Sequence, residues 1–154
     1  MAGTPYVAVV GPGDADERTA WLAEEVGAAL ADAGAVVVTG GLGGVMEAAC
    51  RGAKSRRGRT VALLPGEDRS AANGWVDVAL ATGLGELRNA LLVRSVDAVL
   101  AIGGSWGTLS EIALAARTGV PVFAVRSWEL PAPEVIACAG VREAVEQIAA
   151  LLGG

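Results

Sequence analysis

Residues 97–111 of this chain read Asp-Ala-Val-Leu-Ala-Ile-Gly-Gly-Ser-Trp-Gly-Thr-Leu-Ser-Glu, and they are the strongest indication of the fold class. Asp97–Ile102 predicts a strand buried on both faces, because the run is continuously apolar after its first residue. The glycine-rich turn at 103–107 ends the strand, and a helix is predicted over Thr108–Thr118. A strand, a glycine turn and a helix in direct succession are typical of a crossover between parallel strands.

The same succession recurs along the rest of the chain. Further strands are predicted at Tyr6–Val10, Ala35–Thr39, Thr60–Leu64, Val76–Ala81 and Val120–Val125. Further helices are predicted at Ala15–Ala33, Val45–Arg57, Leu84–Val96 and from Gly140 or Val141 to Leu152, with loops at Glu67–Gly74 and Ser127–Pro133. The sequence therefore predicts an α/β fold, a Rossmann-like three-layer doubly wound parallel sheet, in a single domain over residues 1–154.

Composition limits the classes of protein to which the chain can belong. Of its 154 residues, 53% are apolar and 19% are charged, which excludes a disordered chain. No apolar run reaches the roughly 18 residues that a membrane span needs, and Met1–Gly11 lacks the basic start of a secretory signal. We therefore expect a cytoplasmic protein without a membrane partner. The net charge of −5 opposes a nucleic-acid partner, which needs a basic surface.

The residue types that are missing narrow the chemistry. The chain has no histidine, which excludes a histidine general base, a Ser-His-Asp triad and a histidine-ligated metal. Its two cysteines, Cys50 and Cys138, match no metal or redox spacing and are expected to be small buried residues. No metal site is predicted.

Glycine clusters stand at the carboxyl ends of three predicted strands. Glycine lets backbone N–H groups approach an anion closely, and a following helix adds partial positive charge at its N-terminus. The alternative is that the glycines only make tight turns, but two clusters that each lead into a helix favour an anion site. The candidate phosphate or ligand contacts are Gly11, Gly40, Gly41, Gly43, Gly44, Gly103, Gly104, Ser105, Trp106, Gly107 and Thr108.

Standard nucleotide motifs do not fit the chain. Gly11-Pro12-Gly13 is followed by Asp16, where a dinucleotide fingerprint requires its third glycine. Lys54 follows an alanine late in a predicted helix, so it does not complete a P-loop. Neither dinucleotide binding nor ATP hydrolysis is therefore supported.

Two charged residues have alternative interpretations. Arg88 falls inside the apolar arc of its predicted helix, so it either reaches to the surface or to Glu86 or Asp97, or faces a phosphate or carboxylate in the cleft. Thr108 and Glu111 have the spacing of a helix capping box. Alternatively, Thr108 joins the phosphate site and Glu111 faces the ligand.

Three motifs occur in an order that resembles the LOG (LONELY GUY) family: Gly40-Gly41-Leu42-Gly43-Gly44-Val45-Met46-Glu47, Leu87-Arg88-Asn89 and Gly103-Gly104-Ser105-Trp106-Gly107-Thr108-Leu109-Ser110-Glu111. The resemblance extends from about Tyr6 to Arg126, and the third motif is the most specific. It implies a Rossmann-like fold and a homodimer or higher homo-oligomer.

The resemblance also implies an activity and roles for residues. It implies a phosphoribohydrolase that cleaves the N-glycosidic bond of a nucleoside 5′-monophosphate, such as a cytokinin riboside monophosphate, without a required cofactor. Arg88 and Glu111 would then be catalytic, while Thr108 and the glycine turns would hold the phosphate. A lysine decarboxylase, the label of some relatives, is not supported, because a Schiff base needs a lysine and the only one is Lys54, away from the strand ends.

One difference from the hydrolases favours another function. They have Arg-Lys where this chain has Arg88-Asn89. In this respect the chain resembles the branch of the SLOG superfamily that includes molybdenum cofactor carrier proteins. The alternative is therefore a non-catalytic binding or carrier protein for a nucleotide or a molybdopterin-type ligand, so that the expected partner is a phosphorylated nucleoside or pterin. The acidic charge opposes a third interpretation, a DNA-handling module.

Overall fold

Strands and helices alternate in the computed structural model, which describes residues 3–153. The strands are β1 (Tyr6–Val10), β2 (Val36–Thr39), β3 (Thr60–Leu64), β4 (Val78–Ala81), β5 (Ala98–Ile102), β6 (Val122–Val125) and β7 (Val135–Cys138). The helices are α1 (Glu17–Asp32), α2 (Val45–Ser55), α3 (Arg88–Arg94), α4 (Trp106–Arg117) and α5 (Val141–Leu152). Within the described range, no helix is both long enough and apolar enough to cross a membrane.

All strands pair in parallel in one sheet, in the order β4-β3-β2-β1-β5-β6-β7. The predicted doubly wound α/β fold is therefore confirmed. The strand order changes direction between β1 and β5, where Val10 pairs with Ala101. At such a switch point the loops that follow the two strands diverge to opposite faces and leave a crevice, which is where ligands bind in sheets of this kind.

Apolar clusters fill both faces of the sheet. Helices α1, α2 and α5 pack on one face, while α3 and α4 pack on the other. Leu100 and Ile102 of β5 are fully buried, and each such side chain contributes about 1.5–3 kcal/mol to folding. Cys50 and Cys138 are buried free thiols, as the sequence predicts.

Helices α1 and α2 are held close together by two glycines. A Cβ atom on Gly27 would collide with the carbonyl oxygen of Ala49, and one on Gly52 would collide with that of Glu24. The two backbones can approach to this distance only because both positions lack a side chain. This contact places the N-terminus of α2, and the glycine turn before it, beside β1.

The helix predicted over Leu84–Val96 is wrong in its first part. A short 3-10 turn at Gly85–Leu87 precedes α3, and Gly83 and Gly85 adopt positive φ angles of 65° and 58°. An α-helix requires negative φ angles, so it cannot include Gly83 or Gly85 and begins only after them. The structure also contains a strand that the sequence pattern did not indicate, β7, a half-buried edge strand of four residues that follows the prolines at 131 and 133.

The apolar arc expected on that helix is also wrong. Leu92 is buried, whereas Leu84, Leu87 and Leu91 are 45%, 72% and 41% exposed. Two exposed side chains of the edge strand β4, Val78 and Leu80, lie on the same face of the sheet. They pair with Val61 and Leu63 of β3, and those two side chains pack on the face that α3 and α4 cover. We call the set Val78, Leu80, Leu84, Leu87 and Leu91 the leucine surface.

Candidate functional site

The two predicted glycine turns meet at the switch point. A cavity of about 160 Å³ lies between the ends of β1 and β2 and the N-terminus of α4. It is lined by Val9, Val10, Gly11, Gly13, Gly40, Met46, Arg88, Asn89, Ser105, Gly107, Thr108 and Glu111. We call it the inner cavity. Residues from both turns therefore face the same space as the two charged candidates, Arg88 and Glu111.

A wider cavity of about 710 Å³ adjoins the inner one, which it meets at Arg88, Asn89 and Gly107. We call it the outer cavity. Its remaining lining residues are Pro65, Gly85, Glu86, Leu87, Trp106 and Ser110. A ligand with a small polar end and a broad flat end has space for both ends across the two cavities.

The predicted glycines divide into two groups. Gly11, Gly40 and Gly107 line the inner cavity together with Ser105 and Thr108, while Trp106 lines the outer one. The others shape the turns without lining either cavity: Gly41, Gly43, Gly44, Gly103 and Gly104. That any of these residues contacts a ligand remains a prediction.

Gly44 shows why the first turn needs glycine. Its φ angle is 63°, and a Cβ atom there would collide with the carbonyl oxygen of Pro12. The amide of Val45 donates to that same oxygen at 3.0 Å. The turn before α2 is thereby docked on the loop that follows β1, which brings Gly40 to the inner cavity.

Helix α4 begins at Trp106 and is capped by Ser105, so the capping box expected at Thr108 and Glu111 is wrong. The Ser105 hydroxyl accepts a hydrogen bond from the Thr108 amide at 3.2 Å and lies 2.8 Å from the Thr108 hydroxyl. The first amides of a helix have no partner inside the helix. The N-terminus of α4 therefore directs N–H groups and partial positive charge toward the inner cavity.

Arg88 lies at the start of α3 and extends across Gly40, where a Cβ atom would collide with its Nη1. Nη1 donates to the carbonyl oxygen of Leu63 at 3.0 Å. Neither the surface position nor the pairing with Glu86 or Asp97 is present in the described chain. In the described range the buried Nε of Arg88 has no hydrogen-bond partner, and an unpaired buried donor is costly.

Glu111 lies on the first turns of α4 and contributes its carboxyl to the inner cavity. Burial raises the pKa of this carboxyl to about 7, although the positive charge of Arg88 opposes the rise. Burial lowers the pKa of the Arg88 guanidinium, and the Glu111 charge opposes that change. Near neutral pH the carboxyl can therefore be either a proton donor or an anion.

Sequence reasoning missed Asn73, which fixes the first glycine turn. Its side-chain amide donates to the carbonyl oxygens of Gly41 and Leu42 at 3.3 and 3.0 Å, and its backbone amide donates to Gly41 at 2.9 Å. Its side-chain oxygen accepts from the amide of Trp75 at 3.0 Å. No local pattern marks its contact with the turn, because Gly41 and Leu42 are about thirty positions earlier in the chain.

Ser127 and Trp128, in the predicted loop after β6, were missed as well. Ser127 Oγ donates to the carbonyl oxygen of Gly103 at 2.6 Å, and Trp128 Nε1 donates to that of Ser105 at 3.0 Å. The Trp128 ring lies 5.4 Å from the ring of Trp106, centroid to centroid, with 37° between the planes. Trp106 itself is 78% exposed, which is unusual for so large an apolar side chain.

Comparisons with known proteins match nearly the whole chain. A family model described as the SLOG cluster4 family matches residues 4–149. The molybdenum cofactor binding protein of the phototrophic bacterium Rippkaea orientalis is 33% identical, with a TM-score of 0.92 over 99% of each chain. The molybdenum cofactor carrier protein of Chlamydomonas reinhardtii is 32% identical, with a TM-score of 0.89 over 98% of this chain and 100% of that one. An uncharacterised protein of Archaeoglobus fulgidus is 43% identical over 120 residues, 78% of this chain and 79% of its own length.

Proposed function

The chain belongs to the SLOG cluster4 family, and on this basis we propose that it is a binding or carrier protein for a small molecule with a phosphate and a planar heterocycle. A molybdopterin-type ligand and a nucleoside monophosphate both have this chemistry. One observation carries the proposal: half-buried Arg88, whose Nε is buried and unpaired within the described range, shares the inner cavity with the N-terminus of α4. A phosphate group would accept hydrogen bonds from the Arg88 Nε and from the first amides of α4.

The inner cavity fits a phosphate group by charge and by donor type. Arg88 is a positive group that can form paired hydrogen bonds to two phosphate oxygens. The amides of Trp106 and Gly107 supply the helix N-terminus, and the hydroxyl of Thr108 is also nearby. Because Glu111 takes up a proton near neutral pH, it need not repel the bound anion.

The outer cavity fits the heterocycle. Trp106 is exposed beside it, and an aromatic ring of this size can stack on a purine or a pterin. Asn89 offers an amide group that can both donate and accept hydrogen bonds with the ring edge. We propose that Trp106 and Asn89 contact the ring while Arg88 holds the phosphate.

The two neighbours of similar size support binding rather than turnover, since one is a molybdenum cofactor binding protein and the other a molybdenum cofactor carrier protein. This supports the alternative interpretation of the sequence over the phosphoribohydrolase. In a carrier, the molybdenum cofactor is cargo, and the residues of this chain would only hold and release it.

Hydrolysis remains a second candidate because of one observation, the position of Glu111 beside Arg88. An N-glycosidic bond breaks through a positively charged sugar, which a carboxylate can stabilise while it activates a water molecule. A carboxyl with a pKa of about 7 is suited to this exchange of protons. Release of free base from a nucleoside monophosphate would identify this activity.

We also propose that the chain self-associates through the leucine surface. Its five side chains are 41% to 72% exposed, and they lie on or beside the α3 face of the sheet. Exposed apolar groups of this size in one region indicate a protein contact. A second copy, placed over this face, would also border the outer cavity at Leu87.

Titration of the purified protein with guanosine 5′-monophosphate, guanosine and inorganic phosphate tests the proposal. Guanine and pterins share a 2-amino-4-oxopyrimidine edge, so this nucleotide represents both ligand classes. We expect the nucleotide to bind at least about tenfold more tightly than guanosine, because Arg88 and the α4 amides contact only the phosphate. Equal affinity for the two would contradict the phosphate site. Recovery of unchanged nucleotide supports a carrier, whereas release of guanine supports the hydrolase.

A further inference from the structure

The loop that follows β6 contacts residues 103–105, the turn before α4, from outside both cavities. We call residues 103–105 the phosphate-binding turn. Ser127 and Trp128 belong to neither cavity lining, yet both donate hydrogen bonds to carbonyl oxygens of the turn before α4. We propose that they are positioning residues that fix the backbone of this turn and thereby hold Ser105, Gly107 and Thr108 at the inner cavity, where we place the phosphate. This inference rests on the proposed function and assigns part of its specificity to a loop that the ligand does not contact.

The geometry of the peptide bond explains how the loop acts. In a planar trans peptide, the carbonyl oxygen and the following N–H point in opposite directions. Ser127 holds the Gly103 carbonyl and thereby sets the direction of the Gly104 N–H. The Ser105 carbonyl accepts from Trp128 Nε1 and also from the Leu109 amide of α4 at 3.0 Å, and the two bonds together set the direction of the Trp106 N–H. Both carbonyls bond to groups outside the cavity, so their negative ends face away from an anion.

Trp128 also packs against Gly104 and Trp106, the residues on either side of Ser105. Its indole lies 3.7 Å from the position that a Cβ atom on Gly104 would occupy, which is an ordinary packing distance, so the ring lies directly beside the turn. It is tilted against the Trp106 ring at 5.4 Å and packs on the apolar cluster beneath α4. One side chain therefore joins the phosphate-binding turn to the surface that we assign to the heterocycle.

The backbone before the loop indicates that this arrangement is enforced. Arg126 has a φ angle of 51° and is one of two non-glycine residues with positive φ among those described. This conformation is unfavourable for a residue with a Cβ atom and persists only where the surroundings fix it. The chain bends at Arg126 and Ser127 directly after β6, and Ser127 and Trp128 reach the turn before α4.

The test compares Ser127→Ala, Ser127→Thr and Trp128→Phe with the parent protein. Each is titrated with guanosine 5′-monophosphate and with guanosine. Ser127→Ala and Trp128→Phe each remove one donor, and we expect each to weaken nucleotide binding by about three- to tenfold while guanosine binding changes less than twofold. Ser127→Thr keeps the hydroxyl and should restore nucleotide binding. Trp75→Phe, at a half-exposed tryptophan outside both cavities, serves as the matched control and should bind as the parent does.

Four results overturn the inference. Unchanged nucleotide affinity in both Ser127→Ala and Trp128→Phe shows that the loop does not position the turn. Equal losses of affinity for nucleotide and guanosine show general damage to the fold rather than an effect on the phosphate site. Failure of Ser127→Thr to restore nucleotide binding shows that the hydroxyl is not what matters at this position. If the parent protein binds neither ligand, the proposed function itself is wrong and this inference falls with it.

Discussion

At the scale of single residues, Arg88 and Glu111 create one electrostatic unit. Both are withdrawn from solvent, which disfavours the charged form of each, and each charge partly compensates the other. Arg88 stays protonated under these conditions, whereas the carboxyl of Glu111 becomes protonated and titrates near neutral pH. The cavity therefore has a fixed positive charge and a variable negative one.

The variable charge predicts a dependence of stability on pH. Glu111 has a pKa of about 7 in the folded protein against 4.5 ordinarily, so its contribution to stability is complete below about pH 4.5 and is lost as the pH rises through about 7. Glu111→Gln cannot ionise and should avoid this loss. We expect its free energy of unfolding to equal that of the parent near pH 4 and to exceed it by up to about 3 kcal/mol near pH 8, measured by urea denaturation. A difference that does not change with pH would contradict the burial of this carboxyl.

The fixed charge predicts a loss of binding. Arg88→Ala removes the charge-assisted contact to phosphate that we propose, so we expect affinity for guanosine 5′-monophosphate to fall by about 10- to 100-fold in calorimetric titration. Arg94→Ala, at the exposed end of the same helix, is the matched control. If both variants bind the nucleotide equally well, Arg88 does not hold the phosphate.

At the scale of elements, the site depends on how α1 and α2 pack. The close contact at Gly27 and Gly52 fixes α2, and the turn before α2 carries Gly40 to the inner cavity. A glycine inside a helix is normally unfavourable by about 1 kcal/mol relative to alanine. At Gly27 and Gly52 the close contact between α1 and α2 makes glycine more favourable than alanine.

Gly27→Ala should therefore destabilise the protein although alanine favours helices. The added methyl group collides with the Ala49 backbone, and overpacking of this kind costs about 1–3 kcal/mol or more. Gly74→Ala, where an added Cβ meets nothing within 4 Å, should change stability by less than about 0.5 kcal/mol. Thermal unfolding of both variants measures the difference, and a Gly27→Ala protein as stable as the parent would show that the helices separate without cost.

The elements also show how far sequence reasoning reaches. Buried strands such as β5 are predictable because a short, continuous apolar run between a helix and a glycine turn is typical of a strand covered on both faces. The first part of the Leu84–Val96 helix was wrong, because two glycines with positive φ take precedence over an apolar spacing. The meeting of the two glycine turns was predictable from the parallel topology. Asn73, Ser127 and Trp128 were not, because their partners lie more than twenty positions away and only the folded chain brings them together.

At the scale of the whole molecule, the two faces of the sheet differ. One face is covered by the three helices α1, α2 and α5, while on the other face the seven-residue helix α3 leaves the β4 edge uncovered. The outer cavity opens beside this less covered face. Ligand binding and self-association are therefore expected on the same side of the molecule.

Leu80→Glu should abolish self-association. Leu80 is 51% exposed on the edge strand, where a buried charge in an interface would be costly. Leu151→Glu, at a 54% exposed leucine on α5, provides a control outside the leucine surface. Sedimentation analysis should give an oligomer for the parent protein and the control, and a monomer for Leu80→Glu. A monomeric parent protein, or an oligomer in all three, would contradict the assignment of the leucine surface.

We propose that the two glycine turns and Arg88 together hold a phosphorylated small molecule. Mass spectrometry of the compounds released from the freshly purified protein tests whether they do. We predict an intact compound that contains both phosphate and a heterocycle, at near one copy per chain in the parent protein and much reduced in Arg88→Ala. Retention of a compound without phosphate, or of equal amounts of the same compound in both proteins, would contradict the account.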